Sequence, residues 1–411
     1  MTLRANVAAS RVDPILSDPI SSLSAQVRAE IDLLAADLVD LSRDLHAHPE
    51  LSWAEERTTN LVAKTLDEAG LSPVLLPRGG LLVDIGSGEQ ISALRADLDA
   101  LPVDDTSGLE WASTVPGVAH ACGHDVHTAA LVGVGRALAR YQERLPGRVR
   151  LIFQPAEEVM PGGALMAIES GALDGVGHIF GLHCDPSIDV GTFGLQEGPL
   201  TGAADSLDVH LRGTGGHTSR PHLTEDLTFA LGKLVTELPA VLSRRLDPRA
   251  GVSVVWGLVR AGAAMNVIPA VGRAAGTVRM LDQVAWVESE ALVRQTIAEI
   301  VAPYGVTAEV SYIRGVPPVV NETVATRVLG GAIEQVVGEE NRFGTAQSLG
   351  GEDFAWFVEQ VPGAMARLGT RTPGGPTFDL HQGDLNVDER AIGLAAKVLA
   401  TAAIRALVTT T

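Results

Sequence analysis

Between residues 24 and 45 the apolar side chains recur every three or four positions (Ile31, Leu34, Leu38, Leu41, Leu45). That spacing predicts an amphipathic helix, which stops ahead of Pro49. A second helix is expected over 54–69, with Gly70 as its cap. Strand-like runs follow at 81–85 and 91–96. A helix then starts near Val126 and carries Ala129, Leu131, Val134 and Leu138 on its apolar face. The run 148–153 reads as a buried strand, 164–170 as a short helix before Gly171, and 178–183 as another strand. Strands alternating with helices imply an α/β sandwich around a mostly parallel sheet.

Beyond residue 203 the pattern changes. The stretch 206–212 alternates like a half-exposed strand, and 227–242 has helical spacing. Strands are expected at 252–259 and 273–280, a helix at 286–300 and a strand at 306–313. The order βαββαβ is that of a ferredoxin-like α+β module with an antiparallel sheet and helices on one face. The division read from the chain is therefore a main α/β domain in two parts, 26–203 and 316–411. An inserted module occupies 204–315, and residues 1–25 form a disordered tail.

Composition narrows the possible partners. A formal net charge of −19 over 411 residues argues against nucleic acid or an anionic membrane. No apolar run approaches the roughly 18 residues a spanning helix needs, so no membrane partner is expected. The 2 cysteines, Cys122 and Cys184, are too few for a disulfide framework and fit a reducing cytoplasm.

The candidate chemistry lies in two short segments, HACGHD at 120–125 and FQPAEE at 153–158. Gly123 permits a turn tight enough for Cys122 and His124 to converge on one ion. Glu157 and Glu158 follow a buried strand, at the end where ligand sites of open α/β sheets gather. One of the two can bind metal while its neighbour stays free as a base. His183 ends another apolar run and is favoured over His178 for the same reason. Most of the 11 histidines call for no special role, and His46, His48, His120, His127 and His210 are read as structural or supporting.

Further segments occur in order around these: RDLHAHPEL (43–51), RADLDALP (95–102), GLH (181–183), GGH (215–217), NVIP (266–269), GTVR (276–279) and GGEDF (350–354). From about residue 26 onward the chain resembles the metal-dependent amidohydrolase, aminoacylase and carboxypeptidase family that includes hippurate hydrolase and indole-acetyl-amino-acid hydrolases. The resemblance implies a dinuclear site of two divalent ions held by Cys122, His124, Glu158, His183 and His381. Zinc is the first expectation, with manganese, cobalt or nickel also admitted. It implies Glu157 as general base and His217 as oxyanion donor, the latter from the inserted module and often from the partner subunit. Arg279 and Asn266 would bind the free carboxylate of a small-molecule substrate. Asp99, and Asp97 beside it, would orient a ligand imidazole, while His222 is a weaker candidate.

The function implied is hydrolysis of N-acyl or N-aroyl L-amino acids to a carboxylic acid and a free amino acid. The inserted module would serve as lid and homodimer contact. One alternative is a metallo-exopeptidase, a dipeptidase or carboxypeptidase using the same site. Another is a non-catalytic metal-binding scaffold. Departures from the family pattern fall at Thr218, at Cys184 and in the stretch after His381, which lacks an aromatic residue.

Overall fold

The fold is described from a computed structural model covering residues 19–409. The opening helix runs Pro19–Ala47, starting earlier than its strict periodicity. Pro19 suits a first helical turn, where its missing N–H is not needed. Leu23 and Val27 are already buried, so packing extends the helix backward. Residues 19–25 are therefore helical and not tail, while residues 1–18 of the expected tail lie outside the described residues.

The main sheet has eight strands in the order Val74–Leu75, Leu81–Gly86, Arg148–Gln154, Ile91–Asp97, Val176–Asp189, Gly363–Arg371, Phe193–Gly194 and Arg342–Phe343. Its middle strands, from Arg148–Gln154 across to Gly363–Arg371, run parallel. Parallel strands are covered on both faces and read as continuous runs instead of alternating. Ile91–Asp97 fits this: every residue is buried, including the charged Arg95 and Asp97.

The helices Pro19–Ala47, His124–Ala139 and Arg390–Ala406 pack into one apolar core against this sheet. His124–Ala139 is buried nearly all round. A Cβ on its Gly133 would come within 2.5 Å of Leu38 Cδ1, so the glycine lets the opening helix approach closely. Register places the carboxyl ends of the parallel strands together. Asp97 sits opposite Gln154, and His183 opposite Arg367. The fold thus gathers the end of one strand, the loop after a second and two mid-strand side chains at one edge.

The second sheet is antiparallel, in the order Ser253–Ala261, Val271–Met280, Ala203–Arg212, Thr307–Val316. Helices Leu227–Arg245 and Gln283–Val301 cover one face and close a separate core around Leu207, Leu234, Val278 and Trp286. Asp226 and Asp282 cap these helices by accepting from Phe229 N–H and Ala285 N–H. Strand Ser253–Ala261 lies at the sheet edge and leaves Val255, Leu258 and Val259 exposed. Among the described residues no helix is long and apolar enough to cross a membrane.

Leu38 is fully buried against the Gly133 notch. Leu38→Ala should lower stability by about 2–5 kcal/mol, read as a shift of the denaturant midpoint with unchanged slope. A change below 1 kcal/mol would mean the helices close over the gap.

Candidate metal centre

Gly123 adopts φ +80° at the start of helix His124–Ala139. A Cβ there would fall 2.7 Å from Cys184 Sγ, so conformation and space both require glycine. The turn brings His124 to the first helical position beside Asp99. His124 Nδ1 lies 2.9 Å from the Asp99 carbonyl, which can only accept. The proton must therefore sit on Nδ1, leaving the Nε2 lone pair to face the site.

His183 is fixed by the same device. Its Nδ1 donates to the Cys184 carbonyl at 2.8 Å, and its Nε2 lies 3.5 Å from Cys122 Sγ. Glu158 completes the group: Oε1 is 3.7 Å from His124 Nε2, and Oε2 is 3.4 Å from His381 Nε2. Three sets bring their donor atoms within 4.8 Å of one another: Cys122 with His124 and His183, Cys122 with Glu158 and His381, and His124 with Glu157 and Glu158. The five expected ligands are thus brought together.

The loop carrying the two glutamates is held from below. Asp99 Oδ1 accepts from Glu157 N–H and Oδ2 from Glu158 N–H, each at 3.0 Å, and Ser52 Oγ donates to Oδ2 at 2.6 Å. Asp99 is therefore an anchor for the loop as well as a support for His124. Ala156, just before it, has φ +55°, a strained value for a residue with a side chain. Its N–H donates to Glu55 Oε1 at 2.7 Å, which pins the turn. His381 also sits at φ +63°.

The structure adds residues that sequence reasoning left without a role. His127 Nε2 accepts from Cys184 N–H at 2.9 Å, so its protonated Nδ1 donates to Asp97 Oδ1 at 2.6 Å. Asp97, His124 and His127 form a further set of convergent donor atoms. On the other side Arg95 is buried and spans Asp97 Oδ2 (2.5 Å), Asp353 Oδ1 (2.8 Å) and Glu352 Oε1 (3.2 Å). Glu352 and Asp353 converge in turn on Glu157. The signal for this network was present in the RADLDALP and GGEDF segments, but nothing in their spacing joins positions 258 residues apart.

The donor set can be tested for a metal by its charge. Asp97, Glu157, Glu352 and Asp353 are all buried, Glu158 is nearly so, and Arg95 is the cation set among them. Burying carboxylates in such excess is costly unless some are protonated or positive charge is added. Burial, then Glu352, Glu158 and Asp353, push Glu157 well above the carboxylate range. Burial, then Glu158, Glu157 and Asp97, likewise raise the Cys122 thiol. Burial opposes a charge on His124, but Asp97, Asp99 and Glu158 outweigh it and lift the imidazole to about 10. The field thus calls for a cation where His124 Nε2 and Glu158 Oε1 are buried without any hydrogen-bond partner. Thiol, imidazole and carboxylate donors fit transition-metal ions.

A cavity of about 290 Å³ opens on this cluster, lined by Cys122, Glu157, Glu158, His183 and His381 and by Arg279 from the second sheet. Arg279 donates to the Leu349 carbonyl at 2.6 Å. His217 and Asn266 do not line it. His217 is exposed on a two-stranded ribbon opposite Val267, with Nδ1 2.8 Å from Ser219 Oγ. Asn266 is exposed just before that ribbon, and His222 lies in an exposed turn. A larger groove of about 940 Å³ runs beside them, lined by Phe229, Met265 and Val267. It contains none of the expected metal ligands, so the smaller cavity is the chemical site. The remaining histidines stay apart from that site: His46 pairs with Asp125 at 3.0 Å, and His120 is buried, held down at about 4 by desolvation.

Comparison with known proteins agrees with this geometry. Residues 93–405 match peptidase family M20/M25/M40. The Bacillus subtilis N-acetylcysteine deacetylase is 36% identical over 380 residues, covering 90% of this chain and 97% of its own. A Rhodococcus jostii protein bearing a glutamate–cysteine ligase name is 53% identical over 358 residues. The match takes in 86% of this chain but only 45% of that one. Among solved structures, a Bacillus subtilis protein described as a dinuclear metal-binding peptidase of family M20 has a TM-score of 0.79. It is 33% identical, with 91% of this chain and 98% of that one covered.

Asp99→Ala should weaken metal binding about 10- to 100-fold, measured by competition with a chelator. Unchanged affinity would mean that the glutamate loop holds its position without the Asp99 anchor.

Proposed function

The chain belongs to peptidase family M20/M25/M40 and is a hydrolase, and from that premise we propose that it cleaves the amide bond of N-acyl L-amino acids with two bound divalent ions. One observation carries this reading: the donor atoms of Cys122, His124, Glu158, His183 and His381 converge in overlapping sets, one of which also takes in Glu157. Divalent ions held there would acidify a water molecule and polarise the substrate carbonyl. Zinc is the first candidate on this donor set, with manganese, cobalt or nickel as alternatives.

Glu157 takes the proton of the attacking water and returns it to the leaving nitrogen. Burial among Glu352, Glu158 and Asp353 makes it a stronger proton acceptor than an ordinary glutamate. Arg279 lines the cavity and receives the free carboxylate of the amino acid, with Asn266 as a second contact. His217 donates to the oxyanion. Because it is exposed and does not line this chain's cavity, it acts from a second copy or after the second sheet moves.

A homodimer is the arrangement we favour. Exposed Val255, Leu258, Val259, Phe229 and Met265 give the second unit apolar surface to cover, and His217 lies beside it. Two buried, free cysteines accord with a reducing cytoplasm. The second reading is an exopeptidase, favoured by the peptidase description of the solved relative. N-acetyl amino acids and free-amine dipeptides assayed side by side distinguish the two. A non-catalytic scaffold is disfavoured because the sequence retains Glu157 and every expected ligand.

Glu157→Gln should keep its metal content while losing about 100- to 10,000-fold in kcat. Full metal with substantial turnover would remove Glu157 from the role of base. Arg279→Ala should raise KM for N-acetyl amino acids and leave their carboxamides unaffected. An equal effect on both would count against the clamp.

A further inference from the structure

Helix Glu56–Glu68 is preceded by Glu55, which holds the cap position without capping the helix with its side chain. The cap comes from Glu50 instead. Its two oxygens accept from Arg57 N–H at 2.9 Å and from Thr58 N–H at 2.8 Å. Glu55 is left over and turns the other way, where its Oε1 accepts from Ala156 N–H at 2.7 Å. Its second oxygen is buried without a hydrogen-bond partner, and burial is the main cause that lifts the group to about 7. An acid so costly to bury, at a helix end that has no need of it, serves something other than stability.

Its partner is the strained residue ahead of the two glutamates. Ala156 has φ +55°, a conformation that glycine adopts freely and alanine does not. Three successive amides run through this turn, and carboxylates from outside the loop take all of them. Glu55 holds that of Ala156, while Asp99 holds those of Glu157 and Glu158. Asp99 thus fixes the residues after the turn, and Glu55 fixes the N–H of the strained residue itself. The Ala156 carbonyl accepts from Gly163 N–H at 2.9 Å, which closes the loop on itself. With the turn so held, Glu158 reaches His124 and His381, and Glu157 lies with Glu352 and Asp353.

Resting on the reading of Glu158 as metal ligand and Glu157 as base, we propose that Glu55 is a positioning residue for that pair. It keeps Ala156 in the left-handed conformation and so sets the directions in which the two adjacent carboxylates leave the chain. Glu55 does not line the cavity, so its effect on the ions and the attacking water is transmitted by the backbone of the turn.

The test uses cobalt-loaded full-length protein with Glu55→Ala, Glu55→Gln, Ala156→Gly and the double variant Glu55→Ala/Ala156→Gly. Cobalt affinity by chelator competition and the visible spectrum of the bound ion are read apart from turnover. Glu55→Ala should alter the spectrum and weaken cobalt binding about 10-fold or more. Its kcat on an N-acetyl amino acid should fall about 10- to 100-fold. Glu55→Gln keeps an acceptor for the Ala156 amide and should stay within about threefold of wild type on both counts. In the Ala156→Gly background, removing the Glu55 carboxylate should change affinity and kcat less than about threefold, because glycine holds the turn unaided. Wild-type spectrum, affinity and kcat in Glu55→Ala would overturn the proposal. So would a Glu55→Gln variant as impaired as Glu55→Ala, or an equal loss in the glycine background. Should Glu55→Ala not fold, Glu55→Gln and the double variant decide by the same criteria. A wild type that binds no cobalt sinks the metal reading and this proposal together. If it binds cobalt but hydrolyses no N-acetyl amino acid, the substrate reading alone fails, and spectrum and affinity still decide the role of Glu55.

Discussion

The site is governed by an excess of buried negative charge. Asp97, Glu157, Glu352 and Asp353 are buried around Arg95, with Glu158 beside them. Water screens them weakly, and Coulomb energies rise steeply in such surroundings. Everything nearby is arranged to live with that field. Backbone carbonyls fix the protons of His124 and His183 on the far nitrogens, so only lone pairs point inward. Asp99 is occupied by two amides and a hydroxyl and adds hydrogen-bond order without an unpaired anion. Cations complete the balance.

The division of labour between the two sheets follows from this. The main sheet, closed on both faces, supplies rigid strand ends on which ligands can be held to fractions of an ångström. The antiparallel sheet has one covered face and an exposed edge strand. It contributes Arg279 to the cavity rim and keeps His217 at its surface. The metal-ligand cluster thereby lies on the layer covered on both faces, and the antiparallel sheet meets it at the cavity rim.

Much of this was legible from residue order. Gly123 between Cys122 and His124, and Glu157–Glu158 after an apolar run, announce a metal site because local backbone geometry suffices to bring the members of each pair together. The opening helix was legible too, except that core packing of Leu23 and Val27 carries it back to Pro19. What escaped was whatever depends on strands meeting across long separations. Arg95 bonds to Asp353 over 258 positions, and Arg367 stands opposite His183 only through sheet register. His127 looked bland for the opposite reason: its partners, Asp97 and the Cys184 amide, are each distant in sequence and individually ordinary.

His381 comes from the chain after the second sheet, and so does the strand Gly363–Arg371 that lies beside His183 in the sheet. The last helix, Arg390–Ala406, then packs on the first, tied by Lys397 to Asp32 and by Thr401 to Arg28. During synthesis the ribosome therefore releases Asp97, Glu157 and Glu158 long before Glu352, Asp353 and the closing strand. Until those final residues emerge, Glu157 and Glu158 remain hydrated on an incomplete sheet. The main domain cannot fold in step with translation, whereas the antiparallel unit, built from one unbroken stretch, can. The unit made in the middle of the chain can thus be complete before the domain that the chain begins and ends.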